Sequence, residues 1–144
     1  LRVVKIRIGI VLSEKGGALV KIMQPIKFGV GSPLGRGRQY LSWIHLDDLC
    51  QLFIFALEQN DMQGVYNGVA PHPVTNQELT KKTADVLNRP LFLPNVPTFV
   101  LKLMLGEMSQ VVTGGNRVSN KKIQEAGFEF KYTELRPALV DLLK

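Results

Sequence analysis

The chain has 144 residues, of which 45% are hydrophobic and 21% are charged, a balance that is ordinary for one globular domain. This composition excludes collagen-like, low-complexity and largely disordered proteins. The richest apolar segment, Leu49 to Leu57, is far shorter than the roughly 20 residues that cross a bilayer, so no membrane span is predicted. The single cysteine, Cys50, cannot form an internal disulfide, which favours a reducing, cytoplasmic location.

The net charge of +6 is concentrated at one end of the chain. Residues 1–40 carry a net charge of +7, whereas residues 41–144 carry −1. Such a basic segment would suit a phosphate-bearing cofactor, a nucleic acid, or an acidic second half of the same protein. Basic and aromatic residues form no known RNA-binding signature, so nucleic acid is not a favoured partner.

The first half of the chain predicts strands separated by glycine-rich segments. Residues 3–12 are rich in Val, Ile and Leu and predict a buried strand, followed by a short helix over 18–23. Residues 29–38 hold four glycines and a proline and predict a loop, and residues 39–46 predict a second strand. Asp47 and Asp48 then precede an apolar stripe at helical spacing, and they are the predicted caps of a helix.

The second half predicts mostly helices. Thr75 and Glu78 have the spacing of a capping box, which predicts a helix from that point to about Leu87. Pro94 and Pro97 bound a linker. The other predicted elements are a short strand over 65–67, a helix over 99–108, a short strand over 117–119, and helices over 121–126 and 133–143.

Alternating strands and helices predict an α/β fold with a parallel sheet. Only about three core strands are available, so half of the sheet is missing from the prediction. The sequence also starts directly in an apolar strand, with neither an initiator Met nor a leader. We therefore expect it to begin inside a longer protein.

Few residues carry recognisable chemistry. The glycines from Gly29 to Gly35 have the wrong spacing for a dinucleotide fingerprint and include Pro33. One cysteine and two histidines are too few for a structural zinc site, so no metal is expected. Trp43 and His45 share one strand face, where they would either line a ligand pocket or pack into the core.

Several segments resemble a known family. They are Arg7-Ile-Gly-Ile-Val-Leu12, Gly31-Ser-Pro-Leu-Gly35, Ser42-Trp-Ile-His45-Leu-Asp-Asp48 and Asn67-Gly-Val-Ala-Pro71. Together they resemble the second half of an extended short-chain dehydrogenase/reductase of the NAD-dependent epimerase/dehydratase type, within the sugar-nucleotide epimerase-like group. The tail, with Ala126-Gly-Phe128-Glu-Phe130, resembles that group's C-terminal domain of unknown function.

The resemblance implies an α/β fold that is the C-terminal portion of a Rossmann-type NAD(P)-binding fold with a small α+β cap. Residues 1–70 would complete the sheet and the substrate pocket, residues 71–95 would form a helix and linker, and residues 96–144 would be the C-terminal epimerase-associated domain. The family's glycine-rich turn and its Tyr-x-x-x-Lys pair belong to the other half, and neither motif occurs in this chain.

The resemblance also implies site residues. It places Gly9, Ile10 and Val11 near the nicotinamide of NAD or NADP, and Gln39, Trp43 and His45 around a small-molecule substrate. It implies no catalytic residue in this chain. Nucleotide-sugar epimerases often have Arg-Asp before the aromatic-Ile-His triplet, whereas this chain has Leu41-Ser42.

Three functional hypotheses follow. The preferred one is the substrate-binding half of an NAD(P)-dependent epimerase or oxidoreductase, which is inactive alone and has the N-terminal half of the same protein as its partner. An exposed sheet edge would also allow a homodimer. The second hypothesis is a non-enzymatic interaction protein that retains the fold, as proposed for relatives labelled cell-division inhibitors, and the third is a basic nucleic-acid-binding module.

Overall fold

The computed structural model describes residues 1–107, 109–110 and 115–144. Strands and helices alternate over the first half, which confirms the predicted α/β class. The strands are β1 (Val4–Ile8), β2 (Ile10–Leu12), β3 (Tyr40–Leu41), β4 (Trp43–His45), β5 (Gly64–Gly68) and β6 (Val74–Thr75). The helices of the described residues are α1 (Ala18–Lys27), α2 (Leu46–Glu58), α3 (Asn76–Val86), α4 (Thr98–Leu105), α5 (Lys121–Glu125) and α6 (Leu135–Leu143).

The strand predicted over 3–12 is two strands, because the chain changes partner at Gly9. β1 pairs in parallel with β5, and β2 pairs in parallel with β4. Between them, the Gly9 N–H donates to the Gly68 carbonyl at 3.3 Å and the Ile10 N–H donates to the Ser42 carbonyl at 2.8 Å. Hydrophobic content alone does not show such a change of partner.

The strand predicted over 39–46 is also interrupted. β3 pairs with β6 in the antiparallel direction, whereas β4 pairs with β2 in parallel. Ser42 lies between β3 and β4, and Leu46 is already the first residue of α2. The two parallel pairs and the antiparallel pair together position the carboxyl end of β1 beside the segment that precedes β4.

The start of α2 differs from the prediction that Asp47 and Asp48 cap this helix. The cap is His45, whose ring Nδ1 accepts a hydrogen bond from the Asp47 N–H at 3.0 Å. Asp48 is only 2% exposed, and its carboxylate accepts the N–H groups of Lys131 and Tyr132 at 2.8 and 2.9 Å. The predicted capping residue therefore anchors the C-terminal segment instead.

The second half follows the sequence more closely at its helices than at its strand. The capping box of Thr75 and Glu78 is confirmed, with both reciprocal hydrogen bonds formed. The strand predicted over 117–119 is wrong, because these residues have no strand partner and are held by side-chain hydrogen bonds. The helix predicted over 99–108 corresponds to α4, and Met108 lies outside the described residues.

Two apolar clusters hold the described residues together. The first brings residues of β2 and β4 against α1, α3 and α6, and it includes Leu12, Trp43, Leu79, Leu135 and Leu139. The second brings α2 against β5 and the C-terminal tail (residues 115–144), and it includes Ile44, Leu52, Tyr66, Ile123 and Phe128. Both clusters join the two ends of the sequence, so the C-terminal helices are part of the same packing as the strands.

Within the described part of the chain, none of the helices combines the length and the apolar character that crossing a bilayer requires.

Replacing Asp48 by alanine tests the role of this carboxylate. The change leaves the buried Tyr132 N–H and the partly buried Lys131 N–H without an acceptor, and we expect it to lower the free energy of unfolding by about 2–4 kcal/mol. Asp47→Ala, one position away on an exposed turn, is the matched control and should cost under ~1 kcal/mol. Equal effects of the two substitutions in urea denaturation would contradict this role.

Candidate functional site

A groove of about 510 Å³ opens where β1 ends and β2 begins. Its walls have three origins: the β1–β2 junction, the start of α1, and the segment around β3 together with part of the tail. The lining residues lie at 8–11, 17–18, 40–42 and 115–116. Ligands of open α/β sheets bind beyond the carboxyl ends of the strands, and this groove has that position relative to β1.

Gly9 allows the backbone to pass closely under this groove. A Cβ atom at this position would lie 2.5 Å from the Ser42 carbonyl oxygen and 2.6 Å from the Val69 Cγ1. Both distances are shorter than van der Waals contact, so any other residue would push the junction away from β4 and β5. Glycine is therefore required here for the close approach of three chain segments.

The groove wall is neutral. It contains no Asp, Glu, Lys, Arg, His or Cys, and its polar side chains are those of Tyr40, Ser42 and Asn116. At the start of α1, Gly17 has φ of +80° and provides no side-chain cap. A wall of this kind can bind a flat, uncharged group, but it offers no group that exchanges protons near neutral pH.

Ser42 fixes the tail against the groove. Its hydroxyl donates to the Asn116 carbonyl at 2.9 Å and accepts the Val118 N–H at 2.9 Å. Further along the tail, the Asn120 amide donates to the buried Val69 carbonyl at 3.0 Å, a bond that a proline at this position could not make. The extended tail is thus bound to the sheet by side chains rather than by strand pairing.

The structure brings one predicted set of residues into the groove and keeps the other outside it. Gly9, Ile10 and Val11, predicted to lie near a nicotinamide, line the groove wall. Gln39 lies beside the groove, not in its wall, and its side-chain amide donates to the Leu34 carbonyl at 3.0 Å. The role of each residue in ligand binding stays a prediction.

Trp43 and His45 are buried, each only 1% exposed. The Trp43 indole N–H donates to the His72 carbonyl at 2.9 Å. The His45 ring stacks on Tyr132 with a centroid distance of 4.0 Å, and its Nε2 lies 3.0 Å from an Asp141 carboxylate oxygen. Both side chains have partners inside the protein, so the structure favours the alternative that they pack into the core.

His45, Asp47 and Asp141 form a group whose potential metal-ligating atoms lie within 4.8 Å of one another. The hydrogen bonds of His45 argue against a metal there. Its Nδ1 accepts the Asp47 N–H, so the neutral ring carries its hydrogen on Nε2 and donates it to Asp141. Nε2 is therefore protonated and has no lone pair for a metal.

Beside this group, the Lys131 amine lies 5.2 Å from the centre of the Tyr132 ring. A hydrogen bond with the Tyr132 side chain raises the pKa of Lys131 above its ordinary value. The Lys131 ammonium thus lies over the ring of Tyr132, the residue that stacks on His45.

The sequence reasoning missed the three polar residues of the groove wall: Tyr40, Ser42 and Asn116. Ser42 and Asn116 are 74 residues apart, and no local pattern links them. The only signal was the Leu41-Ser42 pair, which departs from the Arg-Asp of nucleotide-sugar epimerases. In the structure this departure places a small hydroxyl where it can bind the tail.

Comparison of the sequence with known proteins identifies the proteins that this chain resembles. A family described as a domain of unknown function, DUF1731, matches residues 96–142. An epimerase family protein SDR39U1 homolog, chloroplastic, from Arabidopsis thaliana is 46% identical over 96% of this chain. The epimerase family protein YfhF of Bacillus subtilis is 43% identical over 99% of it. The chain resembles the C-terminal part of an epimerase family protein.

A solved structure supports the same assignment. The crystal structure of human epimerase family protein SDR39U1 with NADPH superposes with a TM-score of 0.91, at 34% identity and over 98% of this chain. The predicted resemblance to the C-terminal portion of an extended short-chain dehydrogenase/reductase is confirmed, as is the Rossmann-type fold.

The chain spans less than half the length of these proteins. It covers 40% of the Arabidopsis protein, 46% of the Bacillus protein and 48% of the human chain. Their names therefore describe polypeptides about twice as long as this one.

The two roles considered for His45 predict different outcomes for His45→Ala. Loss of the helix cap, the ring stacking and the bond to Asp141 should lower the free energy of unfolding by about 2–4 kcal/mol. The control is His72→Ala, which removes an exposed contact between the ring Nε2 and the Glu134 carboxylate and should cost under ~1 kcal/mol. A melting temperature of His45→Ala within about 1 °C of wild type would show that the core assignment is wrong.

Proposed function

We propose that this chain is the substrate-side half of an NAD(P)-dependent epimerase or oxidoreductase of the short-chain dehydrogenase type. In this proposal the chain completes the cofactor-binding sheet and forms one wall of the site, and it does not catalyse alone. The observation that carries the proposal is the groove at the carboxyl end of β1, because this is where open α/β sheets bind their ligands.

The residues of the groove fit one end of a dinucleotide cofactor. Gly9, Ile10 and Val11 offer a neutral, largely apolar wall against which a nicotinamide ring would lie. The loop from Gly29 to Gly35 provides no phosphate cradle, since Leu34 pairs there with Val96 and no helix follows. NAD or NADP would bring hydride chemistry to this wall, and its phosphates would be held by the other half of the protein.

The sheet has one open edge for that other half. On β5, the edge away from β1 is covered by the tail, where the Lys122 amine donates to the Val65 carbonyl at 2.9 Å. On β1, the edge away from β5 has no strand partner among the described residues. A parallel strand supplied by the N-terminal half would satisfy the open backbone groups.

Catalysis would need a proton-transfer group that the described residues of the groove wall do not provide. Its three described tyrosines, Tyr40, Tyr66 and Tyr132, are followed four residues later by Ile44, Ala70 and Arg136, so none forms a Tyr-x-x-x-Lys pair. The groove wall holds no other acid or base that titrates near neutral pH. The proposal therefore assigns proton transfer to the N-terminal half. A cytoplasmic location is also part of the proposal and rests on the single, exposed cysteine.

Complementation tests the proposal. The chain is mixed with the N-terminal part of the Bacillus subtilis relative, and NADPH binding is measured by calorimetry. We expect no binding by the chain alone and micromolar binding by a one-to-one complex of the two parts, because the chain alone lacks the phosphate-binding turn.

Two substitutions of exposed isoleucines provide the matched pair for this experiment. Ile8→Asp places a charge in the groove wall and should abolish NADPH binding by the complex, whereas Ile54→Asp on the outer face of α2 should preserve it. Size-exclusion chromatography checks that each variant still forms the complex. Tight NADPH binding by the chain alone, or an unaffected Ile8→Asp complex, would overturn the proposal.

A further inference from the structure

We propose that Arg117 recognises an oxyanion, either a phosphate or a carboxylate, on the small molecule that binds in the groove. This inference rests on the proposed function and extends it by naming the chemical class of the substrate and the residue that selects it. Arg117 is not among the site residues predicted from the sequence.

Arg117 lies at the rim of the groove. Its guanidinium carbon is 4.8 Å from the centre of the Tyr40 ring, and Tyr40 is part of the groove wall. The preceding residue, Asn116, also lines the wall. The guanidinium is therefore adjacent to the groove wall without being part of it.

The backbone on both sides of Arg117 is fixed. The Ser42 hydroxyl binds the Asn116 carbonyl and the Val118 N–H, each at 2.9 Å, so a single buried side chain holds the residues before and after Arg117. Stacking on Tyr40 then restricts the side chain itself. A charged group that is held in place before a ligand arrives loses less conformational entropy on binding.

The contact that the described part of the protein gives the Arg117 charge is the cation–π contact with Tyr40. Among those residues, no carboxylate lies within 4.0 Å of its guanidinium, and the groove wall holds no charged side chain. A guanidinium carries its N–H donors in a planar fork, and this arrangement matches two oxygens of a phosphate or carboxylate.

The surroundings favour an anion over a cation. Residues 1–40, which contribute most of the groove wall, carry a net charge of +7. The excess of basic residues in this segment favours anions over cations as binding partners. A substrate with a neutral body and an oxyanion at one end would match a neutral wall next to a fixed guanidinium.

NMR titration of the ¹⁵N-labelled chain tests this inference without a cofactor or a second half. The probes are phenyl phosphate, benzoate and, as the uncharged control, benzyl alcohol. We expect millimolar binding of at least one anion, with amide shifts at Gly9, Gly17, Gly115 and Arg117. A comparison of phenyl phosphate with benzoate distinguishes a phosphate-bearing from a carboxylate-bearing substrate. Equal binding of benzyl alcohol would contradict the inference.

Substitutions identify the side chain responsible. Arg117→Gln should weaken binding of the preferred anion about tenfold or more, and Arg117→Lys, which keeps the charge but loses the planar fork, should fall between this variant and wild type. The control is Arg136→Gln, an exposed arginine on α6 outside the groove wall, which should bind as wild type does. Thermal melting verifies that each variant is folded.

Unchanged anion affinity in Arg117→Gln, or an equal loss in Arg136→Gln, would overturn the inference. These outcomes concern anion binding by the chain alone. They are therefore independent of the complementation experiment, which tests NADPH binding by the two parts together.

Discussion

The close approach of Gly9 to Ser42 and Val69 is the constraint on which the groove depends. At this point the chain stops pairing with β5 and starts to pair with β4. A Cβ atom on Gly9 would lie within 2.6 Å of both the Ser42 carbonyl oxygen and the Val69 Cγ1. Because Gly9 has no side chain, the backbone under the groove can pass this close to Ser42 and Val69. The Ser42 carbonyl accepts the Ile10 N–H, and the Ser42 hydroxyl donates to the Asn116 carbonyl of the tail. One residue therefore links the β1–β2 junction to the opposite wall of the groove.

The start of α2 connects this sheet to the C-terminal helices. His45 ends β4, caps α2 and stacks on Tyr132, while Asp48 binds the backbone of the same segment one turn later. These contacts are buried, and their polar groups satisfy one another, so they hold the tail in one position relative to the strands. The tail in turn supplies Asn116 and Arg117 to the groove region. A core contact therefore determines the geometry of the candidate site, although neither His45 nor Asp48 reaches the groove.

Features that depend on local spacing could be predicted from the sequence, and features that depend on distant partners could not. The capping box of Thr75 and Glu78 involves residues three apart, and it is confirmed. The α/β class and the resemblance to the C-terminal part of an epimerase family protein are also confirmed. By contrast, the break at Gly9 and the role of Asp48 arise from segments up to 84 residues apart, and the His45 cap, although local, uses a side chain that is not among the usual helix caps. Asp before a helix is normally a cap, and here tertiary hydrogen bonds to the tail outweigh that local preference.

The central claim is that β1 is an interior strand of a larger sheet whose other half is supplied by a second polypeptide segment. Amide hydrogen exchange of Val4–Ile8 tests it most directly, by comparing the chain alone with its complex with the N-terminal part of the Bacillus subtilis relative. The account predicts that the β1 amides without a bond to β5 exchange rapidly in the chain alone and become protected in the complex, while the amides of β5 change little. Unchanged exchange throughout β1 in a complex that binds NADPH would contradict it.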